Sequence, residues 1–85
     1  MKSVKVEQFN GAKNQFLIST EDGKYFQSYD SVIAFISING SVTLDRNTWD
    51  YSQTTGRYRN MFLGEGIAET RRKIEEGVYI LDDLN

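Results

Sequence analysis

The chain has 85 residues, of which ten are basic and twelve acidic, and it contains neither Cys nor His. This length predicts one domain, residues 1–85. The missing residue types exclude disulfides, thiolate metal sites and imidazole bases. The formal net charge of −2 argues against a strongly basic nucleic-acid binder and against a strongly acidic mimic of DNA.

Hydropathy argues against a membrane location. No apolar run approaches the length of a bilayer span, and no apolar core of a signal peptide follows the first five residues. The sequence therefore predicts a cytoplasmic protein that contacts no membrane.

The first half of the chain alternates apolar segments with turn residues. Strands are predicted at residues 4–9, 15–20, 24–29, 32–38 and 41–45. Asn10-Gly11 and Glu21-Asp22-Gly23 mark turns, and Asn39-Gly40 predicts a two-residue hairpin loop. Residues 32–38 are the most apolar run, which predicts a central strand covered on both faces.

The second half is helical in pattern until its last residues. Helices are predicted at about residues 53–63 and at 67–76, followed by a short strand at 78–81. Ser52 is the expected N-cap of the first helix, with Thr54 and Thr55 as alternatives, because each hydroxyl can accept a hydrogen bond from a free helix N–H group. Gly56 lies inside this helix, where it is unfavourable, and this indicates a close approach of the backbone to another group.

These elements predict an α+β fold. An antiparallel β-meander of about five strands is followed by two short helices, packed on one face of the sheet, and by a short final strand. The predicted core consists of Val32, Ile33, Phe35, Ile36, Val42, Leu44, Trp49, Phe62 and Ile74. Because a short chain gains stability by burying an edge strand or an apolar patch against a second copy, a homodimer is also predicted.

Residues 49–60 are the first candidate binding surface. The stretch holds the only Trp and two of the five Tyr, and Trp, Tyr and Arg are the residues that most often dominate binding energy. If Tyr58 faces the core, Arg57 and Arg59 lie about 100° to either side of it. Both guanidinium groups are then predicted to be exposed, with Tyr51 beside them. Trp49 and Tyr58 are interpreted as core residues.

A basic cluster, Arg71-Arg72-Lys73, lies on one turn of the second helix. It has the chemistry to contact a phosphate backbone. The favoured interpretation is a solvated face that nearby glutamates neutralise. The predicted partner-binding residues are therefore Tyr51, Arg57, Arg59, Arg71 and Arg72, with the second helix at the margin of the surface.

No catalytic pattern stands out. A Ser nucleophile needs a positioned base, and no motif supplies one for Ser28, Ser31 or Ser52. The acidic pairs Glu21-Asp22 and Asp82-Asp83 show no spacing that brings carboxylates to one metal. We therefore expect no enzyme activity and no cofactor.

One motif is similar to a known family. Residues 25–85 resemble a small domain of unknown function that occurs in bacteriophages and other mobile elements. The resemblance is carried by Trp49-Asp50-Tyr51-Ser52, Thr54-Thr55 and Arg57-Tyr58, with Tyr25-Phe26-Gln27-Ser28-Tyr29, Val32-Ile33-Ala34, Phe62-Leu63-Gly64 and Gly77-Val78-Tyr79. It implies a small phage-encoded accessory protein in the cytoplasm of the host cell, and it supplies no catalytic or binding residue.

Two functions are compatible with these observations. The first is a non-enzymatic module that binds a host protein, for example as an inhibitor of a defence system of the CRISPR nuclease type. The alternative is a small nucleic-acid-binding regulator that uses Arg57, Arg59 and the basic cluster of the second helix. Salt dependence separates them, because nucleic-acid binding weakens steeply as salt rises.

Overall fold

A six-stranded sheet in sequence order carries two helices on one of its faces. The computed structural model describes residues 3–85, so residues 1 and 2 of the predicted domain lie outside the described part. The strands are β1 (Val4–Gln8), β2 (Gln15–Thr20), β3 (Gly23–Ser28), β4 (Ser31–Ser37), β5 (Val42–Asp45) and β6 (Tyr79–Asp82). The helices are α1 (Gln53–Leu63) and α2 (Ile67–Glu75). The predicted α+β fold is confirmed.

The strand directions follow from the connections. β1 to β5 pair antiparallel through short turns, as the meander predicts. β6 pairs parallel to β5, because α1 and α2 form the long crossover that a parallel pair requires. The final strand is therefore the sixth member of the sheet and one of its edges.

The turn at Asn39-Gly40 differs from the prediction. β4 ends at Ser37 and β5 begins at Val42, so the loop has four residues rather than two. A two-residue turn of this sequence needs positive φ at both positions, and only Gly40 adopts it, at 91°. The Asn39 side chain instead accepts a hydrogen bond from the Ser41 amide at 3.2 Å.

The prediction that the central strand is covered on both faces is wrong. Both helices lie on the face of Phe26, Ala34 and Leu44, where the Phe26 and Phe62 rings are 5.7 Å apart. Directly paired residues point to the same face, so Phe35 lies opposite, against Tyr25 at 4.4 Å between ring centroids. An apolar run bounded by turns does not distinguish one covered face from two.

The predicted core is confirmed in part. Ile33 and Leu44 are fully buried, and the other seven predicted members are half-buried. The structure adds three fully or almost fully buried residues that the patterns did not single out: Phe26, Ala34 and Tyr79. Among the described residues it also encloses six polar or charged residues against these five apolar ones: Gln15, Ser28, Asp45, Thr55, Arg59 and Thr70.

The C-terminal tail closes one end of the sheet. Asp45, which is buried, accepts hydrogen bonds from the Leu84 amide and from the Thr48 hydroxyl. The side chain of Asn85 bonds to both the N–H and the C=O group of Val32. The tail thus supplies partners to β4 beyond the point where β5 ends.

Candidate functional site

The predicted site begins at the N-terminus of α1, and its first residue acts as expected. Ser52 has extended backbone angles, and its hydroxyl accepts a hydrogen bond from the Thr55 amide at 3.1 Å. The predicted N-cap is therefore confirmed. Ser52 therefore marks where α1 starts.

The N-terminal part of α1 turns polar residues toward the sheet. Thr55, Gly56 and Arg59 are the buried residues of the helix. The Thr55 hydroxyl lies 2.9 Å from the hydroxyl of Ser28 on the sheet. Nearer the C-terminus, Phe62 packs on the apolar core instead. The helix therefore contacts the sheet through polar residues at its N-terminal end and through apolar residues at its C-terminal end.

The prediction that Arg59 is exposed is wrong. Its relative exposure is 1 %, and its guanidinium group lies 5.4 Å from the Trp49 ring centroid. Nη1 donates to the carbonyl of Trp49 at 2.7 Å and to Asp50 at 3.2 Å, while Nη2 donates to the Asn60 side chain at 2.9 Å. Burial is tolerated because these acceptors replace water around the charge.

The other predicted residues lie around this buried group or away from it. Arg57, two positions before Arg59, is exposed, and its guanidinium carbon lies 5.3 Å from the Tyr58 ring centroid. Tyr51 is 48 % exposed. Arg71 donates to Asp50 at 3.2 Å, so one aspartate joins Arg59 to α2. The structure therefore brings Tyr51, Arg57, Arg59 and Arg71 into one region.

Arg72 belongs to a different part of the surface. It pairs with Glu69 and, at 2.6 Å, with Glu76 on the same helix. These i,i+3 and i,i+4 pairs stabilise α2 and neutralise its charge locally. The interpretation of this helix face as solvated and neutralised fits Arg72 better than a role in binding.

A cleft opens beside the buried arginine, and we call it the Arg59 cleft. Its volume is about 530 Å³. Its walls come from the approach to α1, from α1 itself and from the first residue of α2: Asp50, Tyr51, Ser52, Gln53, Gly56, Arg57, Arg59, Asn60 and Ile67. Three of the five predicted site residues thus line one concave surface.

Gly56 accounts for the close packing at the floor of this cleft. A Cβ atom at position 56 would lie 3.5 Å from Nη2 of Arg59 and 3.7 Å from Nη1. The close approach that the sequence indicated is therefore to the chain's own guanidinium group. These distances are ordinary contacts, so the fold itself does not require Gly at this position.

A polar network that the sequence analysis missed joins α2 to β6. The Glu65 carboxylate accepts hydrogen bonds from Thr70 at 2.8 Å, Lys73 at 2.7 Å and Tyr79 at 2.9 Å. Burial raises the pKa of Glu65, but the hydrogen bonds from Lys73, Thr70 and Tyr79 outweigh it and leave the pKa below its ordinary value. In the sequence, the glycines on either side of Glu65 indicate only a break between two helices and give no sign of this network.

A second candidate surface is the face of the sheet opposite the helices, which we call the open face. Its central row crosses all six strands: Val6, Ile18, Tyr25, Phe35, Thr43 and Ile80. Val6 and Ile80 are 59 % and 60 % exposed, and the row carries no charge. The charged strand residues on this side are Asp45, which is buried, and Asp82, which pairs with Arg46.

A third concavity lies on the helix side, between the end of α1 and strands β2 to β4. It measures about 560 Å³ and is mainly apolar, with Met61 and Phe62 on one side and Leu17 and Ile36 on the other. Lys24 is the one charged residue in its lining. This groove is separate from the Arg59 cleft, with which it shares no residue.

Within residues 3–85, no group of three acidic side chains is placed to hold a metal ion. No helix in the same range is long and apolar enough to span a bilayer. Ser28, one of the hydroxyls considered as a nucleophile, is buried against Thr55, and Asp82 and Asp83 both pair with Arg46.

These features define a small α+β domain with one sheet face under two helices and the other face open. The chain belongs to a family of unknown function, DUF8033, whose model matches residues 2–77. The match includes the first hairpin, which the resemblance over residues 25–85 left out. No curated protein and no solved structure matches the chain.

Proposed function

We propose that this protein is a non-enzymatic module that binds another protein through the open face. The observation that carries the proposal is the uncharged row across six strands, whose outer members Val6 and Ile80 are more than half exposed. Exposed contiguous apolar surface of this kind marks interaction sites in soluble proteins.

The dimensions of the open face suit a protein partner. Six strands spaced about 4.8 Å apart, each rising about 3.3 Å per residue, give a footprint of roughly 25 by 18 Å. The relief of the side chains raises the accessible area above this flat projection. The result is of the same order as the ~800 Å² that each partner buries in an interface of standard size.

The distribution of cations gives the nucleic-acid alternative less support. The open face has no Lys or Arg in its central row. Arg46, Arg71 and Arg72 each pair with a carboxylate, and Lys73 pairs with Glu65. A nucleic-acid surface needs cations that are free to replace counterions around phosphates.

The narrower form of the proposal is an accessory protein of phage origin that acts in the host cytoplasm, with inhibition of a host defence enzyme as one possibility. Its support is the resemblance of residues 49–58 to phage-encoded domains and the small size of the chain. The homodimer expected from chain length would use the same open face. Partner binding and dimerisation would then exclude each other.

The test uses three single variants. Val6→Glu and Ile80→Glu place a charge on the open face at exposed positions, and Met61→Glu is the control, since Met61 is 45 % exposed and lies on α1, on the helix side of the sheet. Each protein is immobilised and used to capture partners from host lysate. We expect one protein to be retained by the parent and by Met61→Glu and lost by both open-face variants.

Two further treatments decide between the two functions. The capture should survive nuclease digestion and high salt, because burial of apolar surface depends weakly on ionic strength, whereas phosphate contacts depend on it steeply. A partner that Val6→Glu and Ile80→Glu retain would place the working surface elsewhere. Capture that is lost after nuclease treatment would favour the nucleic-acid alternative.

A further inference from the structure

The buried guanidinium group of Arg59 is not fully satisfied. An arginine carries five N–H donors. Nη1 uses its two on Trp49 and Asp50, and Nη2 uses one on Asn60. Nε is buried and has no acceptor among residues 3–85. Two donors of a charged group thus lack a protein partner at the wall of a cleft, where an unpaired buried donor is costly.

The surroundings of the Arg59 cleft favour a negative ligand. Arg57 and Arg59 both line it, and Asp50, the one acidic residue in its wall, already pairs with Arg59 and Arg71. The cleft also adjoins the N-terminus of α1, whose first turn holds no acidic residue. The first amides of a helix lack intrahelical acceptors and, with the helix dipole, favour an anion.

Gly56 leaves room for such a ligand. A methyl group there would contact the Arg59 guanidinium at ordinary distances, so the packing of the protein alone would accept Ala. Gly is nonetheless less favourable than Ala inside a helix. The fold therefore does not require the absence of a side chain at position 56, and the space beside Gly56 belongs to the cleft.

We propose that the Arg59 cleft binds an oxyanion group, a carboxylate or a phosphate, through the free donors of Arg59 and the exposed guanidinium of Arg57. The planar donor edge of an arginine matches the spacing of two oxygens on such a group. The site lies on the helix side of the sheet. The inference therefore does not depend on the open face, and either proposal can fail without the other.

The test observes the donor itself. The Nε–H group of Arg59 is monitored by ¹H–¹⁵N NMR while the protein is titrated with inorganic phosphate and, separately, with acetate, at an ionic strength held constant with chloride. We expect a saturable shift of this signal. The tighter of the two anions distinguishes a phosphate-bearing ligand from a carboxylate, such as an acidic side chain of a partner protein.

Variants make the result specific. Gly56→Ala should fold at least as well as the parent but bind the preferred anion at least tenfold more weakly, because its methyl group occupies the cleft. Arg57→Ala should weaken binding while the Arg59 signal remains. Arg46→Ala is the control, since Arg46 is an exposed arginine paired with Asp82 and Asp83, and it should leave the affinity unchanged.

Three results would overturn the inference. An Arg59 signal that does not respond to either anion would show that Nε–H is satisfied internally, for example by an enclosed water molecule. An equal shift in a separate titration with chloride alone would show a general salt effect. Equal affinity in the parent and in Gly56→Ala would place the anion outside this cleft.

Discussion

Charged side chains lie in the interior of this domain, and Arg59 and Glu65 are the two that adjoin the helices. Each is nearly enclosed, and each is surrounded by groups of the opposite kind: acceptors around the arginine and donors around the glutamate. A buried charge is tolerated only under this condition, because its lost hydration must be replaced. Both residues therefore fix the position of the helices relative to the sheet and the adjoining loops.

Replacing Arg59 should destabilise the protein far more than replacing its neighbour. Arg59→Met removes the donors to Trp49 and Asp50 and leaves the Trp49 carbonyl without its partner, so we expect a loss of about 3 kcal/mol in the free energy of unfolding. Arg57→Met at the exposed position should change it by less than about 0.5 kcal/mol. Urea denaturation of both variants measures the difference, and equal midpoints would show that Arg59 is not enclosed.

The Glu65 network should make stability depend on pH at both extremes. The lowered pKa of Glu65 contributes stability above its ordinary value of 4.5, and this is lost as the pH falls through the folded value. The hydrogen bond to Glu65 raises the pKa of Lys73, whose contribution is present below 10.5 and is lost as the pH rises through its folded value. The melting temperature should therefore fall in acid and in strong alkali.

The variant Glu65→Gln separates this network from the other titrating groups. It should flatten the dependence of the melting temperature on pH, while Glu75→Gln, at an exposed position on α2, should reproduce the parent curve. Part of the acid dependence should remain in Glu65→Gln. Burial raises the pKa of Asp45, but hydrogen bonds from Leu84, Thr48, Asn85 and Asn47 outweigh it and lower the pKa overall. A parent-like curve for Glu65→Gln would contradict the assignment.

At the scale of elements, the sheet has two unequal faces. One face is covered by α1 and α2 and contains the fully buried Phe26, Ala34 and Leu44. The other face presents Tyr25 and Phe35 half-buried against each other. The contrast is decided by the crossover after β5, because α1 and α2 both pack on one side before the chain returns as β6.

Paired alanine substitutions measure this inequality. Phe26→Ala empties a fully enclosed site and should cost about 3–5 kcal/mol in the free energy of unfolding. Phe35→Ala removes a half-buried ring and its contact with Tyr25, so it should cost clearly less, about 1–2 kcal/mol. Chemical denaturation compares the two. Equal losses would mean that the open face is covered in solution.

The whole molecule exposes the open face and the edge strand β1, where Val4 and Val6 are 63 % and 59 % exposed. A domain of this length buries a modest fraction of its surface, so the uncovered sheet is where additional burial is available. The homodimer expected from the sequence remains a prediction, and we propose the open face as its interface. The Arg59 cleft, on the helix side, would stay accessible in such a dimer.

Sedimentation at micromolar concentration tests self-association. The parent should show a concentration-dependent dimer, because pairing two open faces buries apolar surface on both copies. Val6→Glu should shift the equilibrium to the monomer, since the pair would bury an unpaired charge. Met61→Glu, on the helix side, should sediment as the parent does. A monomer for the parent at every concentration would remove the dimer.

Much of the local structure could be predicted from residues close in sequence. The five antiparallel strands, both helices and the last strand lie within a residue or two of their predicted positions, because strand alternation and turn residues act over short windows. Ser52 as N-cap was predictable for the same reason, since its acceptor role depends on a residue three positions away. The Asn39-Gly40 loop was the local exception, because the conformation of the flanking residues decided its length.

The candidate site depended on contacts that no local pattern records. The rotation of α1 against the sheet decides whether Arg59 faces solvent or Trp49. The hydrogen bond between Ser28 and Thr55, which are 27 positions apart in the sequence, fixes that rotation. A periodicity argument turns the apolar Tyr58 toward the core, so it placed Arg59 at the solvent border of the helix. The sequence by itself determined the elements and their order. The tertiary structure decided which sheet face is open and which arginine is enclosed, because both follow from how the helices pack and not from the residues within them.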